Sequence, residues 1–328
     1  MYDLNALQIG HGGTALSTLQ EVSVAPGEFI CLLGRNGQGK STLLRTLAGF
    51  IPPVGGQALL DGRPVRDWSA AERARKIAVV LTDRPQVPAL RVTELVEMGR
   101  QPYTGWSGAL SVEDRRIADE ALERVEGGHL RDRYVDSLSD GERQRVMIAR
   151  ALAQQPRIML LDEITAFLDL PSRVTIVSTL RRIARDAGVS IILSSHDLEL
   201  SLGSADRLWL LPGGGRFVDG APEDVALSGA LGEAFDQPNL SFSLERGRFE
   251  THAARRGLAL VKAEGVVRPW LIRGLERLGF EVAASADHAD VVVSYADGMF
   301  RIGDEAYGSI LDLSRSPQLS LTTVQAPV

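Results

Sequence analysis

The sequence predicts an α/β protein with a mostly parallel sheet covered by helices on both faces, followed by a second, smaller α/β unit. Three observations predict it. Short apolar runs at 29–33, 77–81, 157–161, 189–193 and 207–211 read as buried strands, and the stretches between several of them carry helical apolar spacing. Strands alternating with helices imply parallel pairing, because a parallel neighbour needs a long crossover and that crossover is usually a helix. The chain has 328 residues, twice a domain length of about 150, and apolar periodicity fades between 238 and 256.

The elements follow in order. Residues 1–23 alternate weakly and read as short strands. The run 29–33 stops at Gly34, and a helix over 40–48 ends at Gly49. Residues 57–60 followed by Asp61-Gly62 read as a strand entering a turn. Ser69 and Glu72 have the capping-box spacing that starts a short helix. Residues 92–154 are mostly helical, with segments at 92–99, 112–125 and 142–153. A helix over 172–187 is closed by Gly188, and Gly213-Gly214-Gly215 reads as a hairpin turn. Past 256, strands at 258–261, 281–284, 290–294 and 299–302 surround a helix over 269–278. The domains are drawn at 1–245 and 256–328.

Composition narrows the function. Hydrophobic residues at 44% and charged residues at 24% suit a globular chain that buries its core without disulfides or a structural metal. Lys plus Arg number 36 against 42 Asp plus Glu, a net charge of −6. Nucleic acid is not an expected partner of such a surface, since its usual footprint is basic. One cysteine, Cys31, excludes an intrachain disulfide framework and a multi-Cys zinc site, fits a reducing cytosolic setting, and reads as core packing. No apolar run reaches the roughly 18 residues of a membrane span, and Met1-Tyr2-Asp3 does not open a secretory signal.

Three blocks carry chemistry. Gly34-Arg35-Asn36-Gly37-Gln38-Gly39-Lys40-Ser41-Thr42 fits the P-loop pattern G-x-x-x-x-G-K-[ST] between a strand and a helix. Glycines let backbone N–H groups crowd around phosphate, and the helix N-terminus adds the positive end of its dipole. Lys40 would neutralise the β- and γ-phosphates and Ser41 would place its hydroxyl on Mg²⁺. The strand 157–161 ends in Asp162-Glu163. Asp162 suits Mg²⁺ through its water shell, and Glu163, facing differently one residue on, suits a general base that polarises water. Leu138-Ser139-Asp140-Gly141-Glu142 leads into a helix: Ser139 is a good N-cap and Gly141 keeps the backbone open to an anion. By itself this third block is also just a capped helix.

Together these blocks resemble one family, the nucleotide-binding subunits of ATP-binding-cassette transporters, over roughly residues 1–245. The family's Leu-Ser-Gly-Gly-Gln signature is matched by residues 138–142, its D-loop Leu-Asp by Leu168-Asp169, and its switch histidine by His196 in Leu193-Ser194-Ser195-His196-Asp197. The resemblance implies a P-loop NTPase cassette with an antiparallel β-subdomain and a helical subdomain at about 92–154. It implies an ATPase using ATP and Mg²⁺, in which two cassettes close head to tail over two nucleotides. Ser139 and Gly141 would touch the γ-phosphate of the opposite subunit, His196 that of its own, and Asp169 would signal across the dimer. His11 in Gly10-His11-Gly12 would stack on adenine. The partners implied are a second cassette, a membrane permease and, through it, a substrate-binding protein, at the cytoplasmic face of the membrane.

The chain departs from the pattern in three places. Thr82 stands where the family carries a metal-sensing Gln, with Gln86 as a substitute; Asp140 replaces a signature Gly; Ile164 replaces a Pro. The segment 97–114, with Gly99-Arg100-Gln101-Pro102-Tyr103 and Trp106, looks like the helical-subdomain entry of cassettes that power uptake of iron–siderophore complexes, haem or cobalamin. Tyr103 and Trp106 would otherwise be surface anchors of a proline loop. Two other readings stay open: a soluble cassette ATPase, and a regulatory cassette that holds ATP without turning it over, which Thr82 and Asp140 favour. Residues 256–328 carry no site motif; a regulatory or dimer-supporting role is the expectation.

Overall fold

The computed structural model describes residues 1–81, 89–106, 108–251 and 256–320. It divides into two compact units, Met1–Phe235 and Asp236–Val328.

The first unit opens with β1 (Tyr2–His11) and β2 (Thr14–Val24), an antiparallel hairpin closed at Gly12-Gly13. These are two long strands, not the short ones expected. The alternation was weak because Ala6 takes a left-handed backbone and the register shifts between Ile9 and Gly10, and each irregularity flips the side chains that follow. After β3 (Phe29–Gly34) and α1 (Lys40–Leu47) come β4 (Gly55–Leu60), β5 (Arg63–Pro64), α2 (Ala70–Ala74) and β6 (Ile77–Val80). The helical region holds α3 (Val92–Glu97), α4 (Val112–Arg124) and α5 (Asp140–Ala153). The helix expected over 92–99 ends at Glu97 and continues as a 3₁₀ turn, Met98–Tyr103. Pro102 has no N–H to give an α-helical bond back to Met98. Next are β7 (Ile158–Asp162), α6 (Leu170–Ala187), β8 (Ser190–Ser194), α7 (Leu198–Ser204), β9 (Arg207–Gly213), β10 (Arg216–Gly220), α8 (Pro222–Leu227) and α9 (Ala230–Phe235).

Two sheets result. The antiparallel one has the order β2-β1-β4-β5. The other has the order β10-β9-β3-β8-β7-β6, with β9, β3, β8, β7 and β6 parallel and β10 added by an antiparallel hairpin at the Gly213–Gly215 turn. Strands β3, β7 and β8 are buried along their whole length, which is why they read as unbroken apolar runs. One core cluster joins Leu4, Leu7 and Ile9 of the antiparallel sheet, Leu43, Leu44 and Leu47 of α1, and Ile30, Leu160 and Ile192 of the parallel sheet. Each such side chain is worth roughly 1.5–3 kcal/mol of burial. α1 is thereby fixed at the carboxyl end of the parallel strands, where open α/β sheets place ligands.

The second unit begins with a hairpin of β11 (Leu240–Ser243) and β12 (Arg248–Thr251), with Phe242 and Phe249 rings 5.2 Å apart. Then follow β13 (Gly257–Lys262), α10 (Val267–Arg277), β14 (Phe280–Val282), β15 (Val291–Ala296), β16 (Met299–Ile302), β17 (Glu305–Tyr307), α11 (Ile310–Ser314) and α12 (Pro317–Ser320). The sheet order is β14-β13-β15-β16-β17, parallel around β13 and antiparallel beyond β15. Leu271 and Leu275 of α10 pack on Ala259, Val261, Phe280 and Val293. α10 starts two residues earlier than expected because Pro269 lies in its first turn, where the missing N–H is not needed.

Candidate functional site

β3 delivers the P-loop to the end of the sheet. A Cβ on Gly34 would lie 2.9 Å from the Leu211 carbonyl oxygen, and Gly39, the N-cap of α1, has φ of 98°. Both positions therefore need glycine. Arg35, Asn36 and Gly37 form the exposed crest of the loop, with Gln38, Gly39 and Ser41 half-buried below it. Gly39 offers no side-chain cap, so the first-turn N–H groups of α1 face the loop without a partner from the helix itself. That is the donor set a phosphate requires. His11, at the end of β1, brings Nε2 to 2.9 Å from Thr42 Oγ1.

Lys40 is only 5% exposed. Its ammonium donates to the Gly34 carbonyl at 2.8 Å and lies 3.9 Å from Glu163 Oε1. Burial pulls its pKa below the usual lysine value, and the Glu163 and Asp162 carboxylates oppose that shift. A buried cation with carboxylates on one side and N–H donors on the other suits a polyanion carrying a divalent metal.

β7 ends at Asp162, 5% exposed. Glu163 follows with φ of 50°, a left-handed backbone that disfavours a residue with a Cβ by roughly 1 kcal/mol. This turns the glutamate out of the strand. Its Oε1 lies 2.6 Å from Nε2 of His196, which stands two residues past β8. Lys40, Asp162, Glu163 and His196, separated by up to 156 positions (196 − 40), form one linked cluster. Sequence reading missed a fifth member, Ser194, whose hydroxyl touches Asp162 and the Glu163 backbone. Its signal was a pair of serines closing an apolar strand just before His196.

Gly141 and Asp169 come together at the start of α6, and Ser139 stands at the start of α5. Ser139 caps α5 and makes a reciprocal capping box with Glu142. The Glu142 carboxyl is held below its usual range, first by the Ser139 backbone N–H. Asp140 and Gly141 form the first turn of α5, so Asp140 needs no unusual backbone, and its charge stands at the positive end of the helix dipole. A Cβ on Gly141 would lie 3.3 Å from Ser172 Oγ, and Asp169 caps α6 by accepting from Ser172 N–H at 3.1 Å.

In the 97–114 segment, Arg100 is 4% exposed. It bonds Asp114 at 2.9 Å and the Ala153 carbonyl at 2.7 Å, and its guanidinium lies 3.8 Å from the Tyr103 ring centre. Tyr103 donates to the Gln154 carbonyl. Arg100 and Tyr103 therefore fasten the turn from within, while Trp106 stands fully in solvent. Thr82 and Gln86 lie outside the described residues. Among the described residues no group of three or more His, Cys, Asp or Glu is arranged for a metal. Ser41 and Asp162 fit Mg²⁺, which usually takes few protein ligands and completes its shell with water and substrate phosphate.

The ABC transporter family pattern matches residues 19–166. The chain is similar to the hemin import ATP-binding protein of Streptomyces coelicolor, 40% identical over 232 residues, covering 71% of this chain and 82% of that protein. It is similar to the petrobactin import ATP-binding protein of Bacillus anthracis, 36% identical over 225 residues, covering 69% of this chain and 83% of that protein. In structure it is similar to a dimeric bacterial ABC transporter cassette, with a TM-score of 0.55 and 28% identity over 64% of this chain and 94% of that one. The chain belongs to the ATP-binding proteins of ABC transporters, the subunits that hydrolyse ATP.

Proposed function

We propose that this chain energises uptake of an iron–siderophore, haem or cobalamin-type substrate through a membrane permease, as half of a cassette dimer. The observation that carries the catalytic part is the cluster itself: Lys40 and Glu163 at 3.9 Å, Glu163 and His196 at 2.6 Å, and Asp162 beside them at the strand end. In this reading the loop from Gly34 to Thr42 cradles the triphosphate, Lys40 screens its charge, and His11 lies against the base. Ser41 and Asp162 would hold Mg²⁺, which would supply positive charge to the phosphate oxygens. Glu163 takes a proton from the attacking water while His196 orients the Glu163 carboxylate and reaches the γ-phosphate. Ser139 and Gly141 of one cassette close over the nucleotide of the other, and Asp169 lies between them.

The import reading draws on the hemin and petrobactin import relatives and on the segment 97–114. No described helix is long and apolar enough to cross a membrane, and attachment to the cytoplasmic face runs through the permease in this proposal. The test pairs ATPase turnover of the wild type and Glu163→Gln with co-purification of a polytopic permease. Turnover lost in the variant and a permease in the pull-down support the proposal. Equal turnover removes Glu163 as base, and a chain that binds ATP, turns over nothing and captures no permease is the regulatory switch instead. Residues 256–328 are proposed to regulate the cassette or support its dimer. Deleting residues 256–328 tests this, and unchanged transport and dimerisation would dismiss it.

A further inference from the structure

Ser194 is fully buried at the last position of β8, directly across the parallel ladder from Asp162. Its single hydroxyl is used in both directions. The O–H donates to Asp162 Oδ1 at 2.7 Å, and the oxygen accepts the Glu163 backbone N–H at 2.9 Å. A hydroxyl is the smallest side-chain group that both donates and accepts. Here it spans two consecutive residues given different tasks, at the place where the backbone of Glu163 bends to φ of 50°. The neighbouring Ser195 is engaged otherwise: its oxygen accepts the Asp197 N–H at 3.0 Å and shapes the turn after His196.

We propose that Ser194 is a positioning residue for ATP hydrolysis, locking the Asp162 carboxylate and the left-handed Glu163 backbone into one rigid unit. The inference rests on the roles proposed above for Asp162 and Glu163. Without the hydroxyl, the Glu163 amide loses its bond, and the side chain is held by His196, which is 44% exposed, and by Lys40 at 3.9 Å. A buried N–H left without its partner favours backbone rearrangement that gives it another. The carboxylate would then sample orientations that do not point at water, while the P-loop, on another strand, keeps its grip on nucleotide.

The experiment compares Ser194→Thr with Ser194→Val in the full-length chain, since the two side chains match in volume and only Thr keeps the hydroxyl. The Thr variant should stay within about threefold of wild-type kcat, whereas the Val variant should lose about tenfold, the usual size of a supporting-residue effect. KM for ATP and ATP affinity measured without Mg²⁺ should match between the two, while the thermal midpoint should fall modestly in Val, which removes the bonds to the Asp162 carboxylate and the Glu163 N–H. Equal kcat in Thr and Val overturns the inference, as does a Val defect that resides in KM and melting instead of kcat. Should the extra methyl group unfold both, Ser194→Ala against wild type makes the same comparison. Glu163→Gln is run alongside. If it still turns over, the role of Glu163 fails and this inference fails with it; if it is dead while Thr and Val turn over equally, only the role of Ser194 fails.

Discussion

The two mixed sheets of this chain share a local plan and end differently. β3 runs between parallel β8 and β9, and β13 runs between parallel β14 and β15; each leads through a glycine-containing loop into a helix. Where β3, β7 and β8 stop, the chain buries Lys40, Asp162, Ser194 and Ser195. Where β13, β14 and β15 stop, Lys262, Glu264, Val282 and Ala296 are exposed. Burying an ion costs several kcal/mol unless partners offset it, so the first arrangement persists only with a compensating network, which Gly34, Glu163 and Ser194 supply. The parallel βαβ plan offers a place for a ligand; buried, mutually satisfied charge is what separates a working site from the plan alone.

Substitutions in each sheet put this contrast to the test. The largest effect is expected for Glu163→Gln, a loss of about 10³-fold in ATPase turnover, within the range for removing a general base, with nucleotide binding retained in a direct binding assay. In the second unit, Leu275→Ala should cost about 3 kcal/mol of that unit's stability by leaving a core cavity. Denaturant unfolding should show the loss, and steady-state ATPase should hold as long as the unit stays folded; a fall in ATPase that tracks unfolding of the unit would support its proposed regulatory or dimer-supporting role.

Asp114→Asn is expected to cost about 2 kcal/mol, since Arg100 keeps its other acceptors while losing a charge-assisted one. The effect should vary with pH. The Asp114 carboxyl is held below its usual range by the Ser111 hydroxyl, then by the Ser111 N–H and Arg100. A folded-state pKa below the unfolded one gives stabilisation that is complete above the ordinary carboxylate value of about 4 and is lost as pH falls through the lowered value. Wild-type and variant melting curves should therefore differ at neutral pH and converge in acid; a gap that persists in acid would assign the loss to packing. The smallest effect is expected for Ser139→Ala, about 1 kcal/mol from a lost helix cap, read as a small drop in melting temperature. A much larger drop in ATPase than in stability would mark Ser139 as a nucleotide contact as well as a cap.

Features that depend on neighbours along the chain could be read from residue order. The P-loop, the acidic end of β7, the caps at Ser69 and Ser139 and the buried parallel strands were all legible, because turn chemistry, capping and burial on both faces act within a few residues. Tertiary structure decided the rest. The length of β1 and β2 was hidden by a left-handed Ala6 and a register shift, and the end of α3 by Pro102 five residues on. No local pattern shows that His196 meets Glu163 at 2.6 Å or that one serine hydroxyl bridges Asp162 and Glu163. Those contacts exist because β7 and β8 lie side by side and end together, and strand adjacency is fixed by the packing of the whole sheet, not by the residues of either strand.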